Sequence, residues 1–304
     1  MTRRRPIANR AASVLARLQN LAREQGVELQ LLLSEYAIER FLHRLGESVD
    51  ADRFVLKGAT LFRLWLPQRG RATWDLDLLG RGASDVQTVV SSIRQLCTMP
   101  GNEGIDFDPD SVVGESIREP DEYDGVRVRF TARLATSRIP MQLDVGFGDA
   151  VTPAPERVEF PTLLNDAPPR ILTYPRDTVV AEKLEAVVSL GVTNSRMKDF
   201  YDLHRLATTF AFDGKDLARA IRATFDRRGT SLLGEEPVAL GLNFLAAAER
   251  QVQWRALLRR GRLTGPADVT VLIEDLRRFL LPVLAAAAGE IAFDRRWPPG
   301  GPWA

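Results

Sequence analysis

Thr73-Trp74-Asp75-Leu76-Asp77-Leu78-Leu79 is the stretch on which the reading of this chain turns. Side chains alternate across a strand, so Asp75 and Asp77 share one face, with Trp74, Leu76 and Leu78 expected on the other. A second stretch, Ile139-Pro140-Met141-Gln142-Leu143-Asp144-Val145, sets Gln142 and Asp144 against Met141, Leu143 and Val145 in the same way. Carboxylates held close together repel unless a cation lies between them, and hard divalent cations take oxygen ligands. Asp144, arriving on a neighbouring strand, would complete a magnesium platform for phosphate chemistry. Exposed strand faces also carry D-x-D by chance, so the surroundings decide.

Upstream, Arg53-Phe54-Val55-Leu56-Lys57 reads as a short buried strand. It runs into Gly58-Ala59-Thr60 and then into Leu61-Phe62-Arg63-Leu64-Trp65-Leu66, whose apolar spacing is helical. Strand, glycine turn and helix together make a phosphate cradle: glycine lets the backbone approach, and a helix start offers free N–H groups and a positive dipole. No G-x-x-x-x-G-K-[ST] occurs, so this is not a P-loop. Only one helix separates Gly58 from Asp75, and the turn and the carboxylate strand can therefore be neighbours.

This order resembles the nucleotidyltransferase superfamily related to DNA polymerase β. More specifically, the chain is similar to the AbiEii family, the toxins of abortive-infection toxin–antitoxin pairs, including the mycobacterial nucleotidyltransferase toxins. The segments that carry the resemblance are Leu56-Lys57-Gly58-Ala59-Thr60, Arg71-Ala72-Thr73-Trp74-Asp75-Leu76-Asp77 and Leu143-Asp144-Val145-Gly146-Phe147-Gly148-Asp149, followed by Ala181-Glu182-Lys183-Leu184-Glu185 and Arg196-Met197-Lys198-Asp199-Phe200-Tyr201-Asp202-Leu203. Two positions depart from the pattern. Ala59 stands where Gly or Ser is commoner, so a hydroxyl contact in the loop falls to Thr60; Thr73 stands where Ser is frequent.

With 304 residues, 45% hydrophobic and 27% charged, the chain can bury a full core. Its single cysteine, Cys97, permits no internal disulfide, and a reducing cytoplasm is expected. The longest apolar run, Phe279 to Ala288, contains Pro282 and is too short to span a bilayer. Met1-Thr2-Arg3-Arg4-Arg5 opens like a signal peptide, but Arg10 and Arg17 leave no apolar core behind it. The net charge of +1 makes no general case for nucleic acid. Acids gather between Asn102 and Asp124, whereas Arg250, Arg255, Arg259, Arg260 and Arg262 cluster on one predicted helix and its end. Such a cluster suits RNA phosphates and a solvated helix face equally well.

Hydrophobic periodicity predicts helices near 7–23, 28–45 and 84–97, and strands near 53–57, 74–79, 104–108, 125–135 and 139–147. Pro153, Pro155, Pro161, Pro168, Pro169 and Pro175 mark a joint. From Thr178 the signals are helical, and Trp297-Pro298-Pro299-Gly300-Gly301-Pro302 reads as a loose tail. The expected class is α+β: a polymerase β-like mixed sheet flanked by helices, followed by a helical C-terminal domain. Residues 1–50 would be helices packed on the core, 51–165 the nucleotidyltransferase core and 166–304 the helical domain.

Two helices after the joint carry further candidates. On a helical wheel Thr178–Leu190 gathers Val179, Val180, Leu184, Val187 and Leu190 on one face, with Glu182, Glu185 and Ser189 opposite. Lys183 falls inside the apolar face, where a lysine must snorkel or meet an anion. The chain holds only four lysines among 41 basic residues, and Lys57, Lys183 and Lys198 all lie in the family-like segments. Where arginine is the default cation, a retained lysine suits a site that wants a compact charge. On the next helix Asp199 lies among apolar residues and Asp202 borders the same stripe. Either is a structural ion pair or a group that orients Lys183 or the metal cluster. His43 and His204 have no metal-ligand spacing, so zinc is not expected.

The resemblance implies a magnesium-dependent nucleotidyltransferase that moves a nucleoside monophosphate from an NTP to RNA, the tRNA 3′ end being the leading acceptor, and inhibits growth. It implies a separately encoded antitoxin, often a transcriptional repressor, and no membrane. Asp75, Asp77 and Asp144 would hold metal, with Asp144 completing a second metal site or accepting the hydroxyl proton. Gly58, Ala59, Thr60 and Thr73 would hold nucleotide. Lys183 would bind the triphosphate, and Arg196, Lys198 and Asp199 would assist; Asp202 is placed with the catalytic set. The alternatives are a protein-modifying AMP transferase on the same fold and a D-x-D glycosyltransferase, for which the N-terminal helices supply no nucleotide-binding α/β unit.

Overall fold

A computed structural model describes residues 10–66, 73–118, 124–232, 236–241, 244 and 248–304. Arg71 and Ala72 of the family-like segment, and the basic start of the chain, lie outside them. The chain divides into two compact units: residues 1–148 with 156–173, and residues 149–155 with 174–304.

In the first unit, helices α1 (Arg10–Gln25) and α2 (Leu29–Glu47) precede β1 (Phe54–Lys57). A 3-10 turn (Gly58–Thr60) leads into α3 (Leu61–Trp65), and then come β2 (Asp75–Gly80) and α4 (Val86–Thr98). The strands β3 (Ile105–Arg118), β4 (Asp124–Leu134) and β5 (Ser137–Phe147) follow, and β6 (Glu156–Glu159) and β7 (Arg170–Thr173) close the unit. They form a seven-stranded mixed sheet in the order β3-β4-β5-β2-β1-β7-β6. β2 runs parallel to β5 and antiparallel to β1, and β1 runs parallel to β7.

Period-two alternation drives the sheet. Leu76, Leu78, Leu143, Val145 and Val128 are fully buried on one face. Helix α2 packs there: its Phe41 meets Phe107 of β3 edge-on at 5.6 Å and Phe130 of β4 at 5.2 Å. Helix α4, capped by the Asp85 carboxylate on the Thr88 N–H, packs against β3 with Val89, Ile93 and Leu96 buried. Trp74 does not join this face as the alternation predicts; it precedes the first paired residue of β2 and is 47% exposed.

The proline-rich joint contributes more order than its composition suggests. Proline has no N–H to give to a ladder, yet the residues between prolines are free to pair. β6 and β7 form an antiparallel pair, and β7 extends the sheet beside β1, although residues 170–173 read as part of the helical half. The intervening loop is tied to α2. The buried Glu39 carboxylate accepts the Leu163 N–H at 2.7 Å, and the buried Arg40 guanidinium donates to the Ala167 carbonyl at 2.9 Å.

The second unit comprises α5 (Arg176–Leu190), α6 (Met197–Thr209), α7 (Gly214–Arg228), α8 (Ala248–Gly261) and α9 (Val269–Ala288), with a small pair formed by β8 (Phe212–Asp213) and β9 (Arg296–Trp297). Helix α5 packs on both α6 and α7, so its polar side is not solvated. Glu185, expected opposite the apolar face, is buried and accepts from Arg228 Nη1 and Thr230 Oγ1, each at 2.6 Å. The terminal segment is packed, contrary to its loop-like composition. Trp297 is buried and donates its indole N–H to the Ala207 carbonyl at 2.7 Å, and the Trp303 indole stacks on Phe279. Among the described residues no helix is long and apolar enough to cross a membrane.

Candidate active site

The first unit gathers its candidate residues on the sheet face opposite α2. Register fixes this: Asp77 pairs with Lys57 on β1 and with Asp144 on β5, and Asp144 pairs with Arg127 on β4, which pairs with Glu115 on β3. Five strands thus contribute one cross-strand row, Lys57-Asp77-Asp144-Arg127-Glu115. Asp75 pairs with Gln142 in the next row. Cross-strand partners lie close enough for their side chains to interact, so Asp77 and Asp144 are neighbours by construction. Asp75 is exposed, whereas Asp77 and Asp144 are half-buried.

The glycine turn presses against this row. Gly58 has φ +74°, a conformation only glycine adopts without strain. A Cβ at this position would fall 2.8 Å from both Cβ and Cγ of Asp77 and closer still to Oδ2. Two independent constraints therefore keep residue 58 a glycine, and the second places its backbone directly beside Asp77. The helix after the turn is shorter than its apolar pattern suggests. α3 has only five residues, so a phosphate at the turn would rely on backbone N–H groups more than on a helix dipole. Ala59 and Thr60 are buried, and among the described residues the Thr60 hydroxyl has no hydrogen-bond partner. Thr73 lies at the start of the D-x-D segment, its hydroxyl donating to the Asp75 carbonyl at 3.3 Å.

Asp144 is held by a group that the motif reading did not single out. Arg127 donates from Nε to Oδ1 at 2.8 Å and from Nη2 to Oδ2 at 2.7 Å. This planar fork matches a carboxylate on both oxygens. Hydrogen bonding to Asp144 and the charges of Asp144, Asp75 and Glu115 push the Arg127 guanidinium still further above its ordinary range. The signal was present in the sequence: Val126-Arg127-Val128-Arg129-Phe130 alternates with period two, which places both arginines on the face that Asp144 occupies.

The donor set suits a divalent ion. Asp75 and Asp77 offer hard oxygens on one strand face beside a backbone that lacks a Cβ. Magnesium is commonly held by one or two carboxylates and completed by water and substrate phosphates. Among the described residues no three His, Cys, Asp or Glu side chains cluster as a ready-made metal cage. That agrees with Asp144 facing its arginine.

The second unit brings its own candidates together. Lys183 reaches Asp199 Oδ1 and Asp202 Oδ2, both at 2.8 Å, and Arg196 Nε lies 2.9 Å from Asp199 Oδ2. Both carboxylates are almost fully buried, which the helical wheel left ambiguous for Asp202. Burial alone would raise the Asp199 carboxyl, but Lys183 and Arg196 outweigh it and hold this group below the usual carboxylate range. Lys183 is thus not a lone cation among valines: it lies between two carboxylates from α6. Lys198 is exposed on the same helix.

The chain thus combines a mixed sheet, with a glycine turn against paired carboxylates, and a helical unit carrying a buried Lys–Asp–Asp group; the family its sequence matches makes it a nucleotidyltransferase. The sequence matches the family described as "Nucleotidyl transferase AbiEii toxin, Type IV TA system" over residues 40–280, and the chain belongs to that family. It is therefore a nucleotidyltransferase toxin whose family works against an antitoxin partner and uses a nucleotide substrate. Among solved structures it is similar to JHP933 from Helicobacter pylori, at 15% identity and a TM-score of 0.47, over 87% of this chain and 94% of the other. A second H. pylori protein, provisionally assigned as a nucleotidyltransferase, aligns at 16% identity and a TM-score of 0.46, over 87% of this chain and 97% of the other. No curated protein matches the sequence.

Proposed function

We propose that this toxin is a magnesium-dependent enzyme that transfers a nucleoside monophosphate from an NTP to the 3′ end of tRNA. The observation that supports it most is the contact between Gly58 and Asp77, which sets the glycine turn proposed to hold phosphate against a carboxylate proposed to hold metal. Asp75 and Asp77 would hold the ion, with Asp144 beside them as third carboxylate. Bound magnesium supplies neutralisation of phosphate charge and acidification of the attacking hydroxyl. The Gly58-Ala59-Thr60 turn, with Thr73 nearby, would hold the triphosphate through its backbone. The acceptor hydroxyl oxygen bonds to the α-phosphorus, the bond to the β-phosphate oxygen breaks, and pyrophosphate leaves. Asp144 completes a second metal site or takes the hydroxyl proton. In this reaction the protein contributes mainly positioning and fixed charge.

In the second unit, Lys183, Arg196, Lys198 and Asp199 are proposed to serve the nucleotide, and Asp202 to complete the catalytic set. Asp199 and Asp202, each 2.8 Å from its ammonium, hold Lys183 in place.

Incubation with each α-labelled NTP, magnesium and total RNA tests the proposal. Label should enter tRNA and be lost when the 3′-terminal hydroxyls are oxidised beforehand. Ribonuclease-resistant label on protein would replace this reading with AMP transfer to protein.

A further inference from the structure

Arg127 is the residue of the row that grips Asp144 on both oxygens, and the proposed reaction leaves its chemistry unused. We infer that Arg127 is a positioning residue that stands in for a divalent cation at Asp144 and sets how tightly the row binds metal. The inference rests on the metal reading above and extends it to a residue outside the carboxylate set.

The argument begins with the register. Asp75, Asp77 and Asp144 occupy adjacent positions on two paired strands, so the metal-free chain holds three carboxylates on one small area of sheet. Neighbouring carboxylates raise one another's energy when ionised unless a cation intervenes. Arg127 is placed by β4–β5 pairing directly across from Asp144 and takes both of its oxygens. Lys57 stands across from Asp77 on the other side, so cations flank the carboxylates of the row among the described residues. The fold thus tolerates its own metal-free state.

The same fork opposes the metal. A carboxylate that receives two guanidinium N–H groups has its best lone pairs occupied, and a nearby positive charge lowers the affinity of the row for a second cation. The fork thus competes with metal at Asp144, which joins Asp75 and Asp77 only as the fork loosens. Removing the guanidinium should therefore strengthen metal binding even as it disturbs catalysis. A residue that merely braced the sheet would not have this effect.

Binding of Mn2+ to the purified nucleotide-free protein, followed by the electron spin resonance signal of free Mn2+, tests this. Arg127→Gln should bind Mn2+ about tenfold more tightly than wild type, by analogy with the effect of a contacting cation on a carboxylate. Adding Asp144→Asn should abolish that gain, and Asp77→Ala should remove the site in either background. The half-saturating Mg2+ for transfer should fall in Arg127→Gln, while kcat at saturating Mg2+ also falls. If Arg127→Gln binds Mn2+ no more tightly while Asp77→Ala still abolishes binding, the role of Arg127 is overturned and the metal reading stands. If neither wild type nor Arg127→Gln shows Asp77-dependent binding, both are overturned. Arg127→Lys keeps the charge but loses the fork and covers the case of a poorly folded glutamine variant: its affinity should lie between the other two, and an affinity at or below wild type overturns the inference.

Discussion

Asp77 lies so close over Gly58 that no side chain fits between them. Gly58 opens the turn that follows β1 and Asp77 lies in the middle of β2, and the antiparallel register Lys57↔Asp77 brings them together. Gly58→Ala should therefore displace Asp77 as well as strain a positive-φ position. A displacement on the order of an ångström in a catalytic group lowers turnover about 100-fold. Steady-state transfer kinetics on folded Gly58→Ala protein will show this, and wild-type kcat would disprove the coupling.

Asp77→Ala should lose transfer by about a thousandfold, the upper range for removal of one charge-stabilising group. Its thermal midpoint should move by only a few degrees, because Asp77 is half-buried on a polar face and not in the core. Retained activity in the purified variant would end the assignment of the D-x-D strand as the metal site.

Lys183→Met separates folding from function only if its partners are changed with it. Alone it leaves Asp199 and Asp202 buried beside each other without the ammonium, and breaking a buried ion pair costs about 3–5 kcal/mol. Chemical denaturation should show that loss. Lys183→Met combined with Asp199→Asn and Asp202→Asn should recover most of it. A recovered fold with nucleotide affinity at wild-type level would make the group structural.

Acid should weaken the second unit through Asp199. Its carboxyl is held below the usual range when folded, so its contribution is present above the unfolded pKa and is lost as pH falls through the folded value. Thermal midpoints should thus drop below about pH 4, where ordinary aspartates titrate. Asp199→Asn should flatten that drop; an unchanged profile would show that other groups govern it.

Trp297→Ala should destabilise the second unit by about 3–5 kcal/mol, the usual range for truncating a buried tryptophan. The indole is 3% exposed and its N–H is bonded to Ala207. Urea unfolding will measure it, and a change under 1 kcal/mol would mean that the tail is dispensable.

Much of the site was legible because the relevant rules are local. Strand alternation is a property of consecutive residues, so Asp75 and Asp77 were bound to share a face, as were Gln142 and Asp144. The glycine turn was legible for the same reason, since φ > 0 is a demand on a single residue. What only the tertiary structure decided was who meets whom. Nothing in residues 139–145 says that β5 lies parallel to β2, or that Asp144 falls opposite Asp77; pairing is set by the burial of entire faces. The fork from Arg127 followed from that register. Lys183 looked like a cation stranded in an apolar stripe because its two carboxylate partners come from another helix. Trp297 looked like part of a loose tail because its partner, Ala207, lies far away in sequence. The sequence by itself determined which chemical groups each segment presents, since that depends on local backbone geometry. Only the fold determined which of those charges are answered and by what, since long-range contacts depend on the packing of whole elements.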